Sequence, residues 1–459
     1  MILTKLLTDV SCNVNPPQNK KQQFVVIALL LIASTCGQLT AGVGRLRVTV
    51  EKKVFPGVKY VEYRTKGRRS VAVHAVYYDR TVLGSALRVM KSGSNNTDRL
   101  SLVNLATSYE EQTKNNVLAL VNANFWRAGR STPIGPCVVD GEVVEMTPYK
   151  HWTSAFIDAN GRVAIDTFRL TCSLTVNGQS IAIDGTNRRT ADSVVVLYNS
   201  YSGGSVPFVS PALVEHLYAQ MMLDSAFLLG DSTEKTIDTL AIRKEIERVK
   251  TESDVEHGLK KIRLRYTTIP AINKAVQCIV LGIDTGKVMV PTKGCIVSFP
   301  KSFAKSLPNT GDTVTLQFST NVMSERQFMN AVCGTPRLVR NGRAKHEAKQ
   351  EGVTGRRFIQ QKLARTCIGI DKAGETIILA SIEPTNKAER TYGTTLAETA
   401  QVMKMLGAYQ AMNLDGGGSA GMVVKGDHVF FEGIDPETRA VSVGIGVVEI
   451  TNVLRHYPK

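Results

Sequence analysis

Two widely separated stretches are written in one code, and that code is a β-hairpin. Phe156-Ile157-Asp158-Ala159-Asn160-Gly161-Arg162-Val163-Ala164-Ile165 runs apolar, then Asp, then a short turn with Gly, then apolar again. Ile368-Gly369-Ile370-Asp371-Lys372-Ala373-Gly374-Glu375-Thr376-Ile377-Ile378 does the same. Asp at a turn entrance accepts hydrogen bonds from the amides that follow, and Gly takes the positive φ that other residues resist. Asp158 and Asp371 are therefore read as turn residues, not as catalytic acids.

Further short strands follow the same logic. Val71 to Tyr78 alternates with period 2, as a strand does. His74 lies within it and is read as a satisfied structural histidine. Val117 to Val121 is a continuous apolar run that delivers Asn122 and Asn124 to its end, as a buried strand would. Residues 100–116 fit a helix. The clearest helix is Thr395 to Leu406, where Thr395 caps, Glu398 completes a capping box, and Gly407 suits a left-handed stop. Leu396, Ala400, Met403 and Leu406 lie near one stripe of it. At 459 residues, 43% hydrophobic and 21% charged, the chain has material for a large core, which excludes a mostly disordered or multi-span membrane protein. The expected fold class is α+β: a mixed, strand-rich sheet core with a few packed helices, forming a single large domain over residues 45–455. A charged insertion is expected near 225–265.

Residues 1–44 read as a leader. Lys20 and Lys21 precede the apolar run Phe24 to Ala33, and small residues follow it. That order describes a secretory signal, and the run is short for a membrane span, which needs about 20 apolar residues. Cys36 stands where a lipoprotein cysteine would be, so either plain cleavage or a lipid anchor fits. The expected location is exported: periplasmic, cell-surface or secreted. Removing the leader lowers the net charge only from +16 to +14, so an anionic partner is favoured either way. Six cysteines would remain, with no C-x-x-C pair among them. Disulfides and buried free thiols both remain open. Arg343, Lys345, Lys349, Arg356, Arg357 and Lys362 crowd residues 341–362, as an exposed loop or as a cationic rim around an anionic substrate.

The chemistry is expected at Asn413-Leu414-Asp415-Gly416-Gly417-Gly418-Ser419. Three glycines after a strand free the backbone to turn and to present N–H groups to an oxyanion. Asp415 would stand at the rim, and Ser419 could add a hydrogen bond. There is no G-x-x-x-x-G-K-[ST], so a P-loop is excluded. Gly417 to Gly421 spells G-x-S-x-G, but strand-like residues follow where a nucleophile elbow needs a helix.

Several ordered blocks resemble the phosphodiester glycosidase family. They are Val121-Asn122-Ala123-Asn124-Phe125-Trp126, Ile134-Gly135-Pro136 with Asp140-Gly141, Gly311-Asp312-Thr313-Val314, Arg365-Thr366-Cys367-Ile368-Gly369, Gly393-Thr394-Thr395-Leu396, Asn413 to Ser419, and Arg439-Ala440-Val441. The resemblance runs from about Val43 to Val453. Leu363-Ala364 departs from the His-Pro of many members. What the resemblance implies is hydrolysis of a sugar-1-phosphodiester, with N-acetylglucosamine as a candidate sugar, to free sugar and phosphomonoester. On that reading Asp415 is the carboxylate beside the anomeric centre. Arg365 offers a bidentate fork to phosphate, and Asn122 completes the catalytic set. Asn124, Thr366, Gly416, Gly417, Gly418, Ser419 and Arg439 bind substrate, with a structural ion pair equally open to Arg439. No cofactor is required, although Asp415 and neighbouring carbonyls leave room for a divalent cation such as calcium. The expected partner is a phosphorylated or anionic glycan. Nucleic acid is not expected, and a membrane only through Cys36. A non-catalytic binder of anionic glycan is the alternative. Oligomeric state is not readable from the sequence.

Overall fold

A computed structural model of the chain describes residues 43–67, 69–95, 97–127, 131–207, 214–215, 217–219, 221–222, 239–388, 390–425, 427–431 and 440–450. Two units divide the chain, residues 1–43 and 44–459, and every described element belongs to the second. Residues 1–42 of the leader, with Cys36, residues 225–238 of the charged insertion, and Arg439 lie outside the described residues. The described part of that insertion holds a helix, Thr239–His257.

The fold is α+β and strand-rich. One eight-stranded sheet carries, in spatial order, Leu46–Phe55, Val58–Thr65, Ala72–Asp79, Thr376–Ile382, Arg365–Ile370, Gln410–Asn413, Arg337–Arg340 and Arg343–Ala344. A five-stranded sheet, Asp427–Phe431, Gly421–Val424, Val117–Asn122, Val443–Glu449 and Ser85–Lys91, shares its core. Val76, Leu379, Ile368 and Met412 of the first sheet meet Val121, Met422, Ile445 and Leu87 of the second. Each such buried side chain contributes about 1.5–3 kcal/mol of burial. A second core lies around another eight-stranded sheet built from residues within 170–320.

Strands covered on both faces read as unbroken apolar runs. Val117–Asn122 is buried throughout because helix Leu102–Thr113 packs on its far side, through Leu102 and Leu105 against Leu120. Arg365–Ile370 is likewise buried at every residue. Behind it runs helix Leu396–Met405, close enough that a Cβ on Gly369 would lie 2.9 Å from both Ala408 and Met403. That helix starts on the expected capping box of Thr395 and Glu398, and Gly407 follows it at φ +99°. Strand Lys274–Asp284 instead alternates buried Val276, Cys278 and Val280 with more exposed neighbours.

The two hairpins form as expected. Asp158 Oδ1 accepts from the N–H of Asn160 and of Arg162, each at 2.9 Å. Asp371 Oδ1 accepts from Glu375 N–H at 2.9 Å. The six described cysteines are all free and buried, so the thiol alternative holds for Cys137, Cys172, Cys278, Cys295, Cys333 and Cys367.

One carboxyl makes stability depend on pH. Burial pushes Glu142 up from 4.5 to about 7, and hydrogen bonds to Asn199 and Tyr266 only partly oppose this. The folded state thus holds this proton to a higher pH than the unfolded chain does. The contribution is full below about pH 4.5 and is lost as pH rises through 7. Unfolding free energy should fall over that window by on the order of 3 kcal/mol. Urea titrations of wild type and Glu142→Gln would check it, since the variant should lose this slope.

Candidate functional site

The glycine loop is the crossover between the two sheets that share a core. Strand Gln410–Asn413 lies in the eight-stranded sheet, paired with Arg365–Ile370. Strand Gly421–Val424 lies in the five-stranded sheet, paired with Val117–Asn122. Between them Leu414 N–H bonds to Thr366 carbonyl on one sheet at 2.8 Å, and Asp415 N–H to Ala123 carbonyl on the other at 2.9 Å. Gly416 is required by close approach, since a Cβ there would lie 2.8 Å from the Ala364 carbonyl oxygen. Gly417 sits at φ +60° and donates its N–H to that same oxygen at 2.9 Å. Gly417–Ser419 then form one 3-10 turn that leads into a strand, so no elbow helix follows the serine.

Asn122 binds this crossover together. Its Nδ2 donates to Asp415 carbonyl at 2.8 Å. Its Oδ1 accepts from Thr366 Oγ1 at 2.7 Å and from Gly421 N–H at 3.2 Å. The side chain is 1% exposed. The geometry therefore differs from a sugar-binding amide: Asn122 and Thr366 hold the loop from beneath. Asn124 differs in the same way. Its Nδ2 donates to the carbonyls of Ile134 and Pro136, and its Oδ1 accepts from Cys333 N–H. That arrangement pins the segment after Phe125.

Arg365 also departs from the expected phosphate fork. Its Nε donates to Thr394 carbonyl at 3.1 Å, and its Nη2 to the carbonyls of Phe358 and Gln361 at 2.8 and 3.3 Å. The guanidinium lies 5.1 Å from the Phe358 ring centroid. Burial lowers its pKa to about 10, so it stays charged at neutral pH. The physical reason is register: Thr366 faces the shared core, and Arg365, one residue earlier, faces the opposite side, where chain segments 358–361 and 394 offer carbonyls.

Of the expected residues, Asp415, Gly416, Gly417 and Gly418 are half-buried and reach solvent. Ser419 is buried. The loop amides are mostly used internally: Gly416 N–H bonds to Asp415 Oδ1 at 2.8 Å, and Gly417 N–H to Ala364. Among the described residues no hydrogen bond is formed by the Gly418 N–H. Glu398 acts as the cap, and it also pairs with Lys362 at 2.7 Å. Among the described residues no three His, Cys, Asp or Glu side chains gather as metal ligands.

Three features escaped the sequence reading: an aromatic wall, Glu383 and His346. Half-buried Phe125, two residues past Ala123, packs edge-on against Trp152 at 5.2 Å and Phe358 at 6.0 Å, and Tyr149 extends this wall at 4.7 Å from Trp152. Exposed Arg356 and Arg357 sit on the short helix that carries Phe358. Glu383, just past strand Thr376–Ile382, is bonded to His74 Nε2 at 2.9 Å. His74 is buried, as expected, with its Nδ1 on Tyr60 Oη at 2.8 Å. Glu383 follows a buried, mostly apolar strand, Thr376–Ile382, much as Asn122 ends its own, and that signal was available in the sequence. His346 is a third addition. Burial, followed by the charges of Arg365 and Lys345, lowers its pKa.

Comparison with known proteins agrees with the ordered motifs. Residues 268–448 match the family model described as phosphodiester glycosidase. The motif blocks from Gly311 onward fall inside that match, and the blocks at 121–126 and 134–141 fall before it. The N-acetylglucosamine-1-phosphodiester alpha-N-acetylglucosaminidase of Bos taurus is 32% identical over 111 residues, which are 22% of this chain and 20% of the relative. The match thus spans about a fifth of that curated relative's length. A hypothetical protein from Synechocystis shares the fold at TM-score 0.58 and 18% identity, over 88% of this chain and 64% of that one. A solved structure from Burkholderia pseudomallei K96243 does so at TM-score 0.54 and 20% identity, over 83% and 74%.

Proposed function

We propose that this chain, whose residues 268–448 match the phosphodiester glycosidase family, is an exported hydrolase of sugar-1-phosphodiesters. N-acetylglucosamine-1-phosphodiester is the first substrate to try, and free sugar and phosphomonoester are the products. The observation that carries this reading is the half-buried Asp415 at the crossover of two sheets, its backbone fixed from both sides. A rigidly held carboxylate suits a reaction whose sugar carbon becomes cation-like. Phosphate is a good leaving group, so charge neutralisation matters more than protonation. The Gly418 N–H and the exposed Arg356 and Arg357 would supply it. The wall of Phe125 and Trp152 offers apolar ring surface to a sugar. Asn122, Thr366 and Arg365 act by positioning the loop. The reaction drawn this way needs no cofactor.

Incubating the protein with a phenyl phosphodiester of N-acetylglucosamine-1-phosphate tests the reading. Release of N-acetylglucosamine with phenyl phosphate is expected. Saturable binding without release would instead make the chain a glycan-binding protein.

A further inference from the structure

The Glu383–His74–Tyr60 chain has no part in the chemistry above, yet its position ties it to the loop. His74, Ser381 and Thr366 stand in register on three neighbouring strands, so their side chains share one face. Ser381 Oγ donates to Gly421 carbonyl at 3.1 Å. Gly421 N–H and Thr366 Oγ1 both meet Asn122 Oδ1, and Asn122 holds Asp415. A polar row thus runs from His74 to the catalytic loop along the end of the shared core. Glu383 is two residues past Ser381, hence on the same face, and its N–H still bonds to Ala72 carbonyl at 3.1 Å.

Continuing the pairing of Arg365 with Ile382 by one residue sets Ala364 across from Glu383. Ala364 carbonyl is the group that receives Gly417 N–H. Two backbone spacings therefore separate Glu383 from the glycine loop, about 10 Å. Paired glycosidase carboxyl groups that admit a water stand roughly 6.5–9.5 Å apart, a span that side chains can reach from backbones at that separation.

We propose that Glu383 is the base that activates the attacking water, acting across the sugar from Asp415. The proposal rests on the hydrolase reading and names the second group that reading needs. Glu383 takes one proton from water, and the water oxygen bonds to the anomeric carbon. The bond from that carbon to the phosphate oxygen breaks, and its electron pair leaves with the phosphomonoester. With a second pKa near ~6, that product departs as an anion without a general acid, so one base suffices. The proton then passes from Glu383 to solvent. Burial raises the pKa of the Tyr60 phenol, so Tyr60 keeps its proton to donate to His74 Nδ1. His74 then presents Nε2–H to Glu383. The charged groups facing Glu383 are Arg64, 3.9 Å away, and behind it Glu62, bonded to Arg64.

The test is the pH profile of kcat for wild type, Glu383→Gln and Glu383→Asp on the same phenyl phosphodiester, with circular dichroism to verify folding. Glu383→Gln should lose about 10²–10⁴-fold in kcat with KM little changed, and its acid limb should vanish. Glu383→Asp should keep the acid limb at reduced kcat, which a structural role would not predict. Glu383→Gln with near wild-type kcat and an intact acid limb overturns the proposal alone. So does Glu383→Asp without that limb, which also decides the matter if the Gln variant does not fold. A wild type with no turnover sinks the hydrolase reading and this inference together.

Discussion

Asp415→Asn should lower kcat on a sugar-1-phosphodiester by roughly 10³-fold, about 4 kcal/mol of barrier, with the fold intact. The expectation follows from how the residue is held. Its N–H bonds to Ala123, and its carbonyl accepts from Asn122. Both contacts are backbone contacts that the substitution leaves alone. The contact from Gly416 N–H to Oδ1 can pass to an amide oxygen. What is removed is the negative charge beside a carbon that becomes cation-like. Full turnover by this variant would refute Asp415 as the carboxylate at that carbon.

Arg365→Met should cost about 3–5 kcal/mol of stability, the second large effect. The guanidinium is 1% exposed and donates to the carbonyls of Thr394, Phe358 and Gln361. Methionine fills much of the volume and leaves those acceptors without their donor. Urea unfolding reads the loss directly. The competing account, a fork that grips substrate phosphate, predicts the reverse: unchanged stability and a raised KM. The two measurements together separate positioning from direct contact.

The legible parts of the fold were those set by local chemistry. The Asp158 and Asp371 turns, the Thr395–Glu398 capping box and the buried strand ending at Asn122 each depend on a few consecutive residues, and each forms. The site was legible as a place but not as a set of contacts. Asn122, Asn124 and Arg365 have the chemistry to bind a sugar phosphate, but whether their donors are free depends on distant partners. Asn122 meets Asp415 across 293 residues of sequence. One residue of register turns Arg365 away from the core face that Thr366 occupies, and sequence alone does not say which carbonyls wait on that side. Glu383 could be singled out by its place at a strand end, but not its partner. Nothing near Ile382 in sequence announces His74, its partner from a strand 309 residues away.

Hydrolysis in ¹⁸O-labelled water, with mass analysis of both products, tests the central claim most directly. Cleavage of the bond between sugar carbon and phosphate oxygen places the label in the free sugar and none in the phosphomonoester. Label in the phosphomonoester would mean attack at phosphorus, and would contradict a glycosidase built around Asp415.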